Sequence, residues 1–299
     1  VHLRLSPLSF FFCGHADSQI SPPPIRRQRP RWIRDSSSSG SWLPTSTGGV
    51  SAPTPPVLVG SQDPLLEWAV KESNAELAML CQGSGDGVQR LVDGRAMVAG
   101  MHIWHAQTER YNDPVTLGLS GMRDLVLIRW AKRRQGLLLA PDNPHGIVQL
   151  EDIARPGLRL AHRQPEAGVS HLLQSLLARY RIDGSKLAWT EHPSLSEDDL
   201  ALAVRQGEAD VGVGIEAAAR RQGLAFIPLQ QEHFDLAMRR RHYFEPAMQR
   251  LLAFAGSERF AHRAEPIDGY GGSELGQVVY EACTPTRRRP VQKAHSWGG

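Results

Sequence analysis

The sequence predicts an α/β fold on a largely parallel sheet, and three observations carry that expectation. Short apolar runs of strand length alternate with segments of helical period. The loops between them are short and rich in Gly, Ser and Pro. The stretch Leu158–Leu177 shows the pattern in one piece: a strand (Leu158, Leu160, Ala161), a polar loop (163–168), then Val169, Leu172, Leu173, Leu176 and Leu177 at helical spacing.

The elements follow in order from residue 57. Val57-Leu58-Val59 is a buried-strand run, and Gly60 to Pro64 is a turn with Pro64 suited to a first helical turn. Leu65 to Val70 continues as helix. Residues 77–81 read as strand, the glycine loop 82–87 as turn, and Val88, Leu91 and Val92 as helix. Met97–Ile103 is a third strand. Asp124–Trp130 and Leu137–Ala140 read as two strands separated by a basic, turn-like segment, 131–136. Ala188–Thr190 is a short strand. Ser196 with Asp199 approximates a cap for a helix carrying Leu200 and Val204. Asp210–Ile215 is a glycine-bearing strand and 216–223 a short helix. Phe226–Leu229 and Phe234–Met238 read as two returning strands, followed by helices over 244–254 and from 257.

Charge is unevenly placed. Residues 1–56 carry six Arg against two Asp, and residues 283–299 carry three Arg and one Lys. Removing both tails from the formal +3 of the chain leaves 57–282 at −5, which argues against a folded nucleic-acid-binding face there. Residues 1–56, with Pro22–Pro24, Ser36–Ser39 and Pro53–Pro56, have no period and too little apolar content to offset ordering entropy. Both tails are expected to be disordered. The apolar patch Leu8–Cys13 is short for a secretion signal and lacks a clear cleavage site, so cytoplasmic residence is expected, with the periplasm as the alternative. No run is long enough for a transmembrane helix. Cys13, Cys81 and Cys283 are widely spaced, with no metal or disulfide pattern; Cys81 reads as a buried small hydrophobe.

Candidate binding residues lie where strands end. Ser61, Ser84 and His102 all fall at the carboxyl ends of strands, where ligands of open α/β sheets gather. Gly168 sits where a loop becomes a helix, with Arg163 and Ser170 close by, an arrangement suited to an anion and equally to an ordinary turn with a surface arginine. Enzyme motifs are missing. The glycine loop 83–87 is neither a P-loop nor GxGxxG, and no GxSxG or HExxH occurs. His102 and His105 read as structural histidines, and Arg239–Arg241 as a solvated edge.

Several blocks in order carry a resemblance: RWAKRRQGLLLAPDNPHGI, HRQPEAGVSHLL, and AVRQGEADVGVGIEAAARRQGLAFIPLQQEHFDLAM, after the loops bearing Ser61 and Ser84. They resemble the type II periplasmic-binding-protein-like domain found behind helix-turn-helix modules in regulators and on molybdopterin-biosynthesis proteins. The domain is similar to molybdate and tungstate binding proteins. The resemblance covers about residues 57–282. It implies a two-lobed α/β fold with mixed sheets flanked by helices and two hinge crossings, near Leu127–Trp130 and Leu229–Leu236. Lobe one would be 57–127 plus about 235–282, and lobe two about 128–234. It also implies a non-enzymatic ligand sensor linked to transcriptional regulation, for a small anionic ligand of the molybdate or tungstate class and without a cofactor. An exported transporter receptor or a molybdopterin-pathway accessory protein is the alternative. Carried over by position, the ligand-binding residues are Ser61, Ser84, Arg163, Gly168 and Ser170, with His102 and Tyr111 lining the cleft. Relatives have a Ser-Gly-Thr-like turn where this chain has Ala167-Gly168-Val169-Ser170. The regulators' helix-turn-helix has no counterpart in residues 1–56, so such a module would be separate or missing.

Overall fold

The computed structural model describes residues 53–282. The expectations for residues 1–52, for Cys13 and Cys283, and for the tail 283–299 lie outside them. Strand β1 (Val57–Gly60) leads into α1 (Pro64–Glu72), then β2 (Ala78–Leu80), α2 (Ser84–Val92) and β3 (Val98–Met101). β1 pairs in parallel with β2 on one side and β3 on the other, as the alternation predicts. α1 starts as expected. Asp63 caps it by accepting from Leu66 N at 2.8 Å, with Pro64 in the first turn. α2 starts earlier than its apolar residues suggest. Gly83 is its N-cap at φ 115°, and Ser84 to Gly87, read as loop, form its first turn. Only glycine adopts that φ at low cost.

A small hairpin, β4 (Trp104–His105) and β5 (Arg110–Tyr111), precedes β6 (Leu125–Leu139). β7 (Arg159–Ala161), α3 (Gly168–Arg179), β8 (Ala188–Trp189), α4 (Glu197–Arg205), β9 (Val211–Ile215) and α5 (Glu216–Arg221) form a second parallel unit. Ser196 caps α4 by accepting from Asp199 N at 2.9 Å. β10 (Ala225–Arg239) then returns, followed by α6 (Arg240–Tyr243), α7 (Pro246–Ala255), α8 (Glu258–Ala264), β11 (Tyr270–Gly271) and β12 (Val278–Glu281).

The expectation of broken strands at the crossings is corrected. The basic segment 131–136 is the interior of one fifteen-residue strand, β6, and 226–229 with 234–238 are the two ends of another, β10. The two run antiparallel along their lengths, with register shifts at Pro228/Gln230 and Phe234/Asp235. Residues 131–136 extend rather than turn because carboxylates meet their cations. Lys132 and Arg129 meet Glu274, Arg133 meets Asp63 and Glu232, and Arg134 meets Glu216. The sheet order β2-β1-β3-β10-β6-β9-β7-β8 thus runs through both halves of the molecule, with β11 and β12 added on β6.

Each half of the sheet is covered on both faces. α1, α7 and α8 pack a core around Leu66, Trp130, Phe234 and Met248, and α2 covers the opposite face over Val59, Met101 and Leu127. In the other half α3 covers one face over Leu137, Leu160 and Val213, and α4 with α5 cover the other over Leu138, Leu200 and Ile215. This is the two-lobed fold of periplasmic-binding-protein-like domains, with mixed strands flanked by helices. Among the described residues no helix is long and apolar enough to cross a membrane. Two readings of single residues change. Cys81 is half-buried at the sheet edge, its thiol pushed up to about 11 by burial and by the Glu67 and Asp63 carboxylates. The Arg239–Arg241 run is paired, with Asp124, Glu281 and the Thr54 hydroxyl.

The layer of β1, β3 and α2 has no room for side chains at Gly60. A Cβ there would lie 2.1 Å from Gly100 O, at a φ of 101°. Gly60→Ala is expected to lower the urea midpoint by the equivalent of about 1–3 kcal/mol through strain and displaced packing. An unchanged midpoint would mean that this layer yields at no cost.

Candidate functional site at the junction of the lobes

The ends of β1 and β2 deliver two hydroxyls to one point. Ser61 Oγ and Ser84 Oγ are 2.6 Å apart and both residues are buried. Ser84 Oγ also accepts from His102 N at 3.2 Å, joining the end of β3 to the pair. The first turn of α2 begins at Ser84 with no side-chain cap, so the positive end of its dipole lies at this point.

The second lobe contributes α3. Its start also lacks a side-chain cap, and Gly168 lies against His102; a Cβ there would be 2.6 Å from His102 O. The preceding loop rests on α2, with Gly85 N donating to Glu166 O at 3.4 Å. Two helix starts, one from each lobe, therefore meet around Ser61, Ser84 and His102.

Behind the serines is a buried ion cluster. Arg133 Nη1 donates to Asp63 Oδ2 at 3.0 Å, while its Nε and Nη2 face Glu232. Glu232 also accepts from Gln135 Nε2 at 2.7 Å and bonds His102 Nδ1 at 2.8 Å. Asp63 also accepts from Trp130 Nε1 at 3.1 Å and from the Tyr270 hydroxyl at 2.6 Å. Burial alone would raise the Glu232 carboxyl; Arg133 and His102 reverse this and hold it down at about 2. The Arg133 guanidinium, opposed by burial, is held protonated by Glu232 above all. Its Cζ lies 4.5 Å from the centroid of the Phe234 ring.

Of the seven residues singled out in the sequence, the structure brings Ser61, Ser84, His102 and Gly168 together. Tyr111 lies beside them, packed against Trp104 and His233, and its hydroxyl accepts from Gln230 Nε2 at 3.3 Å. Its phenol is pushed up by burial and by Glu232. Arg163 and Ser170 are engaged within lobe two. Arg163 bonds Glu197 Oε1 at 3.2 Å, Ser194 O at 3.0 Å and Leu195 O at 3.1 Å. Ser170 Oγ donates to Gln164 O at 2.9 Å. Among the described residues no hydrogen bond joins either to the serine pair. His102 is tied to Glu232, while His105 sits in the β4–β5 hairpin, and no group of metal-binding residues occurs among the described residues.

Sequence reasoning missed Asp63 as more than a turn residue, and missed Arg133, Gln135 and Glu232 altogether. The available signal was Asp63 just before the helix-starting Pro64, and two acidic residues, Glu232 and Asp235, within the chain's second crossing.

Residues 66–256 match the family described as the PBP superfamily domain, and the chain belongs to that family of ligand-binding domains. It is 23% identical over 272 residues to the uncharacterized protein YvgK of Bacillus subtilis (strain 168), covering 88% of this chain and 82% of that one. It is 30% identical over 103 residues to an uncharacterized protein in the ferredoxin 2Fe-2S gene 5′ region of Clostridium pasteurianum, covering 34% of this chain and 87% of that one. Among solved structures, the effector-binding domain of QuiR in complex with shikimate superposes with a TM-score of 0.48 at 13% identity, over 69% of this chain and 95% of that one. The sulfate-binding protein SubI from Mycobacterium tuberculosis H37Rv gives a TM-score of 0.47 at 15% identity, over 73% and 86%.

Two predictions follow from the cluster. Removing the cation in Arg133→Ala leaves Asp63 and Glu232 buried and uncompensated, a loss of about 3–5 kcal/mol in urea unfolding. The second concerns pH. Burial, Arg129 and Lys132 push the His233 imidazole down to about 4, so it stays neutral while the unfolded chain takes up a proton below its ordinary 6.5. A group depressed on folding gives stability that is lost as pH falls. Stability is therefore expected to decline between pH 6.5 and 4, and again below 4.5 as Glu232 is titrated towards 2. His233→Gln should flatten the first decline and leave the second; a pH-independent midpoint in the parent chain would contradict both assignments.

Proposed function

We propose that the chain binds a small oxyanion of the molybdate or tungstate class between its lobes and acts as a ligand sensor. The observation that supports this most is the buried Ser61–Ser84 hydroxyl pair, flanked by the uncapped starts of α2 and α3 from different lobes. Hydroxyls and backbone N–H groups at helix starts coordinate a tetrahedral anion without a free cation nearby. That matters here because both neighbouring guanidiniums are already matched by carboxylates, Arg163 by Glu197 and Arg133 by Asp63 and Glu232. His102, Gly168 and Tyr111 would shape the closed cleft, and Arg163 and Ser170 would hold the loop before α3. The regulatory role, in the cytoplasm and through a separate DNA-binding partner, rests on the resemblance of the sequence blocks.

A second reading is favoured by the charge count. Asp63, Glu197 and Glu232 outnumber Arg133 and Arg163, which suits a neutral or zwitterionic polar ligand better than a dianion. Thermal unfolding with molybdate, tungstate, sulfate and phosphate in turn separates the two. A ligand at about 100 times its dissociation constant adds about 2.7 kcal/mol, a shift of several degrees. The expected result is a shift with molybdate or tungstate that is lost in Ser84→Ala. A chain that responds to none of the four, but shifts with a zwitterion such as glycine, would replace the first reading by the second.

A further inference from the structure

Away from the serine pair, a groove of about 540 Å³ runs between α1 and the edge strand β2. That volume is within the range of small-molecule sites. Its walls include Gln62, Glu67, Trp68, Lys71, Met79 and Cys81. All come from the β1–α1–β2 unit; Gln62 lies between Ser61 and Asp63 of the lobe junction, but α3 and β3, which complete that junction, contribute nothing to the groove.

The floor is fixed in place. The Trp68 ring lies 5.2 Å from Phe254 and 6.2 Å from Phe260, centroid to centroid, and the guanidiniums of Arg259 and Arg263 each lie 5.8 Å from it. A rigid, half-exposed indole with a thioether beside it is a preformed surface for a flat apolar group. On and just beyond α1, Glu72 is paired with Arg259 and Glu76 with Arg250. Among the described residues, by contrast, Gln62 makes no side-chain hydrogen bond and Lys71 no ion pair. Arg263, whose guanidinium lies 5.8 Å from the Trp68 ring, also has no carboxylate partner among them. The one acidic group in the walls, Glu67, is exposed and also makes no ion pair among the described residues. Around the apolar floor the unpaired Lys71 and Arg263 outnumber the one unpaired carboxylate, Glu67, so the balance there is positive.

We propose that this groove is a second binding site, separate from the cleft between the lobes, for a small organic carboxylate with a flat apolar body. The body lies over Trp68 and against Met79, and the carboxylate faces the Lys71 ammonium, with Gln62 as a further hydrogen-bond donor. An inorganic oxyanion has no use for the apolar floor, and an amine would meet Lys71 and Arg263.

The test uses phenylacetate as the probe and the full chain with Cys13→Ser and Cys283→Ser, so that Cys81 is its sole thiol. Maleimide labelling of Cys81 and intrinsic tryptophan fluorescence report on the groove. Phenylacetate is expected to slow labelling and change the fluorescence saturably, with acetate much weaker and phenethylamine without effect. Lys71→Glu, or Lys71→Gln should the first fold poorly, is expected to weaken phenylacetate about tenfold or more. Met79→Glu should abolish its effect by placing a charge on the floor. Ser84→Ala should leave phenylacetate binding unchanged. The proposal is overturned by labelling that phenylacetate does not slow, by equal protection from phenethylamine, or by full affinity in both Lys71 variants. Loss of binding in Ser84→Ala would also overturn it, since the probe would then occupy the cleft. Apart from that last outcome, none of these results bears on whether the serine pair binds an oxyanion.

Discussion

The bond network around Arg133 is the constraint on which the rest depends. A guanidinium inside a protein is tolerated only where carboxylates meet it, and here they come from the N-cap of α1 and from the opposite crossing strand. This fixes where β1 ends, how α1 begins and how β6 lies against β10. Ser61 lies two residues before Asp63, and Ser84 is tied to Ser61 and to His102 N, whose ring meets Glu232, so the serine pair is anchored to the same cluster. Tyr270 adds the returning C-terminal segment to the same carboxylate, Asp63.

The charge pattern also shapes what the cleft offers. Each arginine near it is matched within the protein, so the junction presents hydroxyls, backbone N–H groups and a histidine whose Nδ1 is committed to Glu232. Recognition by such groups depends on geometry more than on attraction at a distance. Closure of one lobe on the other is what would bring the donors of α3 to those of α2.

Much of this was legible in the sequence. The apolar periods located α1, α3, α4 and α7, and helix-start chemistry placed Pro64 and the Ser196 cap correctly. Strand ends placed Ser61, Ser84 and His102 in one region. The rest was hidden for a definable reason. Residues 131–136 look like a turn because charged side chains rarely lie inside a sheet, and the partners that make it tolerable are 70 to 142 residues away in the chain. The same applies to Arg163, whose partner Glu197 lies in a different element; a residue that looks free in sequence is spoken for in three dimensions. The early start of α2 was obscured because its first turn is Ser-Gly-Asp-Gly, which has no apolar period to read.

The two long strands bear on how the chain is made. Lobe two draws its strands and helices from one contiguous stretch between the middle of β6 and the start of β10. Lobe one is discontinuous: its sheet needs the second half of β10 beside β3, and its core needs Met248, Leu251 and Phe260 from α7 and α8. On a ribosome, the first lobe to emerge is thus the last to be completed. Its exposed apolar surface must wait for nearly the whole described chain, while the second lobe has what it needs earlier.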